Sequence, residues 1–178
     1  MKTILRLLPA VLGFAAAATA QTAPAAGDAR KSAATEITFH EPEKFTDACE
    51  DSFGSDRGRD ATLAQLSDYL IERTRAVLPD GWRLAVTFND VDLAGAFEPW
   101  RSNGHQDVRI VRDIYPPRMK LEFRLTDATG HVVKEGKREL SDLAFQMKLM
   151  INRDDPLRHE KALLDDWVRA DLPPAKKK

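Results

Sequence analysis

Two stretches of the chain alternate between apolar and polar residues. Trp82, Leu84, Val86 and Phe88 fall on one parity and Arg83, Ala85, Thr87 and Asn89 on the other, the two-residue period of a strand with one face on a core. Met119, Leu121, Phe123 and Leu125 repeat the pattern against Arg118, Lys120, Glu122 and Arg124, which predicts a sheet buried on one face and wet on the other. Asp127-Ala128-Thr129-Gly130 predicts a hairpin turn, with a returning strand from about His131 to Glu139. Shorter strands are expected at Glu36 to His40 and at Val108 to Ile114. Pro116-Pro117 bars helix and central ladder alike, marking a corner or a sheet edge.

From Ala61 to Leu78 the period lengthens. Leu63, Leu66, Leu70, Thr74 and Val77 form one helical stripe, widened by Ile71 and Leu78. It stops at Pro79-Asp80-Gly81, whose proline presets one turn dihedral and whose glycine admits a positive φ. The polar, Gly-bearing stretch Asp51 to Asp60 reads as loop. Ser141, flanked by Leu140 and Phe145 in the spacing of a hydrophobic staple, predicts a short helix to about Ile151. Asp155 as a cap, with Pro156 at the first helical position, predicts a last helix that sends Leu157, Leu164, Trp167 and Val168 to the core. It ends before Pro173-Pro174. The elements sum to a two-layer α+β domain, an antiparallel or mixed sheet of about four to five strands with about three helices on one face.

The N-terminus reads differently. Lys2 and Arg6 precede an apolar run, Leu7 to Ala17, that is too short to span a bilayer and ends in the small residues Ala18-Thr19-Ala20. That is a cleavable signal peptide, with the cut expected before Gln21. Gln21 and Thr22, not a cysteine, stand directly after the cut, so a lipid anchor is not expected, and no later apolar segment is long enough to span. The organisation expected is signal peptide 1–20, flexible leader 21–34, one domain over 35–172 and a basic tail at 173–178. A soluble periplasmic protein without a membrane anchor follows.

Charge excludes one class of partner. Taking Lys2 and Arg6 from 27 basic residues leaves 25 against 28 acidic, whereas nucleic-acid-binding domains carry a marked basic excess. Cys49 is the lone cysteine, so no internal disulfide forms, and a buried structural thiol is expected in the absence of a second thiol or flanking histidine.

At this point several segments together, Phe45-Thr46-Asp47, Leu78-Pro79-Asp80-Gly81, Asp90-Val91-Asp92-Leu93-Ala94-Gly95, Pro116-Pro117-Arg118-Met119 and Glu160-Lys161 to Asp166-Trp167, resemble the exported bacterial proteins of the domain of unknown function 3016 family over roughly residues 35–170. The resemblance implies secretion and one domain. It brings no activity, cofactor or catalytic residue.

Motifs that carry chemistry are sparse. Asp90 to Gly95 matches a calcium loop at positions one, three and six, but position five is Ala94 and position twelve is Arg101, so the bidentate acid is lost. The same residues suit a strand end and tight turn; as a cation site they would recruit Glu98 or Asp107. His159-Glu160 opens like a zinc-protease motif, yet Leu163 stands where the second histidine belongs. The other histidines, His40, His105 and His131, are scattered. Arg118, Lys120 and Arg124 share the outward face of one strand, and Lys134 or Arg138 on the returning strand would extend it. Such a face is either solvated sheet or a dock for an anionic ligand or envelope partner. No catalytic residue and no cofactor is predicted. The expected function is binding or interaction without catalysis; a cation-binding domain using Asp90 and Asp92, and a small envelope hydrolase with a fold-assembled site, are the alternatives.

Overall fold

The alternating segments pair as one mixed sheet in the computed structural model, which describes residues 30–31, 34–100, 107–148 and 153–173. In chain order the elements are β1 (Arg30–Lys31), β2 (Thr35–Phe39), α1 (Asp56–Val77), β3 (Arg83–Asp92), β4 (Ala96–Phe97), β5 (Arg109–Ile110), β6 (Arg118–Thr126), β7 (Val132–Ser141) and α2 (Arg158–Asp171), with short 3-10 turns at Pro42–Lys44 and Phe145–Met147. The five-stranded sheet runs β1-β2-β3-β6-β7, while β4 and β5 form a separate two-stranded sheet. β2 lies parallel to β3, as a connection through α1 allows, and the other pairings are antiparallel.

One face of the sheet carries the core. Phe39, Val86, Phe88, Leu121 and Phe123 meet Leu66 and Leu70 of α1 and Leu164 and Trp167 of α2, so the period-2 and period-3.6 stripes bury each other. Phe39 stacks on Phe88 with ring centroids 5.4 Å apart, and Phe123 meets Trp167 edge-on at 5.6 Å. No helix among the described residues is long and apolar enough to cross a membrane.

A bulge in β3 decides where the acids go. Strict alternation from Phe88 would turn Asp90 and Asp92 toward the core. The register shifts between Phe88 and Asp90, so Val91 takes the core position at 0 % exposure while Asp90 and Asp92 join the wet face.

Several elements depart from the expectations above. α1 begins at Asp56, five residues before the apolar stripe, because Ser55 caps it by accepting from the Gly58 amide at 3.0 Å. The strand expected over Val108 to Ile114 shrinks to β5, whose partner is Ala96–Phe97 and not the main sheet. Ser141 ends β7 and caps no helix; the segment after it makes one 3-10 turn that still buries Phe145, and residues 149–152 lie outside the described residues. α2 starts two residues after Pro156, since the Asp155 carboxylate accepts from the Leu157 amide at 3.0 Å and closes a turn first. β1 falls within the segment expected as leader.

Candidate functional site

At the end of the sheet where β3 finishes, three adjacent strands put their outward residues into two cross-strand rows. Lys120 of β6 stands between Asp90 of β3 and Glu139 of β7, and Arg118 stands between Asp92 and Ser141. These residues, with Thr46, line a cavity of about 450 Å³. The acidic pair from the calcium-like stretch and two of the three bases from the strand face therefore occupy one site.

The two rows differ in their internal pairing. Asp90 accepts from the Thr46 amide at 2.9 Å and its hydroxyl at 3.1 Å, and pairs with Lys120 at 3.3 Å. Its oxygens are occupied by the protein itself. Asp92 and Arg118 make no side-chain hydrogen bond and no ion pair among the described residues. Burial pushes the Asp92 carboxyl above its ordinary range, and the nearby Asp47 charge adds to the rise, against a smaller opposing pull from Arg118.

In two other cavities of similar size each basic side chain is paired. On the same face, Ala85, Thr87 and Glu122 to Arg124 line one of about 480 Å³, where Lys137 pairs with Glu122 at 2.7 Å and Arg124 with Glu135 at 3.0 Å. Arg124 thus lies apart from Arg118 and Lys120. A third lies between β7 and α2, and there Arg138 pairs with Asp171 at 2.8 Å while Lys148 bonds Asp142 and Asp166.

The wall bearing Thr46 is pinned from behind. The segment after β2 runs along the end of β3, with the Asp47 amide donating to Val91 O at 3.0 Å and the Leu93 amide to Asp47 O at 2.9 Å. Arg109 locks that segment: its Nη1 and Nη2 reach the two Asp47 carboxylate oxygens at 2.8 and 2.9 Å, Nη2 donates to Cys49 O at 2.6 Å, and Nη1 to Gly95 O at 3.1 Å. The guanidinium also sits 4.6 Å from the Phe97 ring centroid. Gly95, at φ +84°, lets the two short strands approach this closely, since a Cβ there would come within 2.7 Å of Ile110 O.

The sequence model of the family described as Protein of unknown function (DUF3016) matches residues 33–170. The chain belongs to this family. No curated protein and no solved structure matches the chain. Every residue named at the cavity lies inside the DUF3016 match.

The DUF3016 domain leaves its other chemistry-bearing residues apart. Glu98 is buried beside Arg112 at 3.3 Å, and Asp107 accepts from the Ser52 hydroxyl at 2.8 Å, so neither joins Asp90 and Asp92. Among the described residues no group of three or more His, Cys, Asp or Glu is arranged to hold a metal ion. His40 and His131 are exposed, and His105 lies outside the described residues. His159 is buried edge-on against Phe145 at 4.8 Å, and burial pushes its pKa down to about 4. Cys49 is buried and burial raises its thiol pKa.

Lys134 and Arg138 do not extend the basic face. Their register opposite Leu125 and Leu121 turns them to the helix side, where both bond Asp171. Lys137, Glu135 and Glu139 take the outer positions instead. Arg109 was not singled out by sequence; an arginine in a short strand-like run carries no local signature, and its partners lie 14 to 62 residues away.

Proposed function

We propose that this DUF3016 protein is exported through its N-terminal signal, is cut before Gln21, and acts in the periplasm as a binding domain whose ligand site is the mixed-charge cavity. The observation that carries the reading is the unpaired couple Asp92 and Arg118. Elsewhere on the same face, opposite charges close onto each other across strands, as Lys137 and Glu122 do, which is what a merely solvated sheet face does. A half-buried carboxylate and a guanidinium held side by side without closing are poised for an external partner. Met119 and Leu140 add apolar lining beside them. Export rests on the charged start, short apolar run and small-residue cut site of residues 1–20.

Two experiments separate these claims. Protein recovered from the periplasmic fraction is expected to begin at Gln21 by intact mass; uncut chain held in the cytosol would overturn export. For the site, a ligand-observed NMR screen of small charged molecules against the wild type and Arg118→Leu is expected to give hits that vanish in the variant. Identical hit profiles would remove the cavity as a binding site.

A further inference from the structure

We infer that the ligand of this cavity is a compact zwitterion, a molecule carrying an ammonium and a carboxylate on one carbon, of which a free α-amino acid is the simplest case. The inference rests on the cavity being a ligand site and follows from the order of groups in its second row. Asp92, Arg118 and Ser141 stand on three neighbouring strands, spanning roughly 10 Å from first to third at the usual strand spacing. The row presents a carboxylate, a guanidinium and a hydroxyl in that sequence. A ligand carboxylate over Arg118 accepts two parallel N–H bonds from the guanidinium fork and a third from the Ser141 hydroxyl. An ammonium on the adjoining carbon then falls on the Asp92 side.

Simpler ions fit one group and offend the other. An anion alone on Arg118 adds a negative charge beside Asp92, which already feels Asp47 and Asp90. A cation alone on Asp92 meets the positive charge of Arg118. The zwitterion satisfies both and leaves the net charge of the site unchanged, so its affinity varies little with salt. In the first row Asp90 is held by Thr46 and Lys120, and the other carboxylate, Glu139, stands exposed on β7, on the far side of Lys120 from Asp90. The cavity, at about 450 Å³, lies within the size range of small-molecule sites.

Calorimetric titration of the mature protein with L-alanine, propanoate and L-alaninamide tests this. Alanine is expected to bind, with propanoate and alaninamide each weaker by roughly tenfold or more, and with Asp92→Asn and Arg118→Leu each costing alanine a similar factor. Both residues lie on the wet face, so the variants are expected to keep the wild-type circular dichroism. Propanoate binding as tightly as alanine, with no effect of Asp92→Asn, would overturn the zwitterion and leave an anion site in the same cavity. Alaninamide binding as tightly would overturn it in favour of a cation site. Heat from none of the three titrants also overturns the zwitterion inference, and the broader ligand screen with Arg118→Leu then decides whether the cavity binds anything.

Discussion

Arg109→Ala should lower stability by about 3 kcal/mol, a shift of roughly 6 to 12 °C in Tm for a domain of this size. The variant loses the bidentate pair with Asp47, two bonds to backbone carbonyls and the contact with Phe97. It also strands the Asp47 carboxylate, whose side chain is only 28 % exposed. Breaking such a pair costs more than the pair contributed, since the surviving charge stays desolvated without a partner. Arg109→Lys should recover part of the loss: an ammonium restores charge but cannot bridge Asp47, Cys49 and Gly95 at once. Urea denaturation of the three proteins gives the comparison, and an unchanged midpoint for Arg109→Ala would show that the clamp is not structural. Because Asp47 also pairs with the end of β3, the weakened variant should lose order first around Thr46.

Glu160→Gln should move stability the other way, by about 1 to 3 kcal/mol at neutral pH. Glu160 sits in the first turn of α2 at 1 % exposure, with Oε1 accepting from the Ala94 amide at 2.7 Å and Oε2 without a hydrogen-bond partner. Burial raises its pKa, the Ala94 bond and the Arg109 charge lower it, and Glu50 raises it again; the net direction is up from 4.5. Glu50 is itself raised by burial. A raised carboxyl binds its proton more readily in the folded chain than in the unfolded one. Its penalty is therefore fully present above the folded pKa, shrinks as pH falls through that value, and is gone below the unfolded value near 4.5. Glutamine keeps the acceptor for Ala94 and drops the charge, so its advantage should be present at neutral pH and vanish by about pH 4. Denaturation curves at both pH values test this; a gain that persists in acid would mean that packing rather than charge sets the difference.

The strands most legible in the sequence were those whose parity separates apolar from charged residues. β6 follows its alternation from Arg118 to Thr126 almost residue for residue. β7 has no such parity, and its inner positions are filled by Lys134 and Arg138. Only the register and Asp171 on α2 fix which way they face, with the Arg138 guanidinium 5.3 Å from the Phe123 ring centroid. The first turn of α1, Asp-Arg-Gly-Arg-Asp, carries no apolar residue, so hydrophobic periodicity could not reveal where that helix starts.

The candidate site was legible in its parts and hidden in its assembly. Asp90 and Asp92 stood out as a calcium-like spacing, Arg118 and Lys120 as a basic strand face, and they read as rival functions. Antiparallel pairing across 26 to 30 residues makes them neighbours, and the bulge after Phe88 is what turns the acids toward the bases. Neither the register nor the bulge has a signature in a single sequence here, since Phe88-Asn89-Asp90 contains no glycine to mark it. The decisive contrast, one acid satisfied and its neighbour two residues on left unpaired, exists only in three dimensions.

Amide chemical-shift mapping on the isotope-labelled protein during titration with alanine tests the central claim most directly. Saturable shifts are predicted at Thr46, Asp92, Arg118 and Ser141, with Ala85 and Glu122 on the same face unmoved and the response lost in Arg118→Leu. Shifts that do not saturate, that spread evenly over the outer face, or that survive in Arg118→Leu would contradict a ligand site at this cavity.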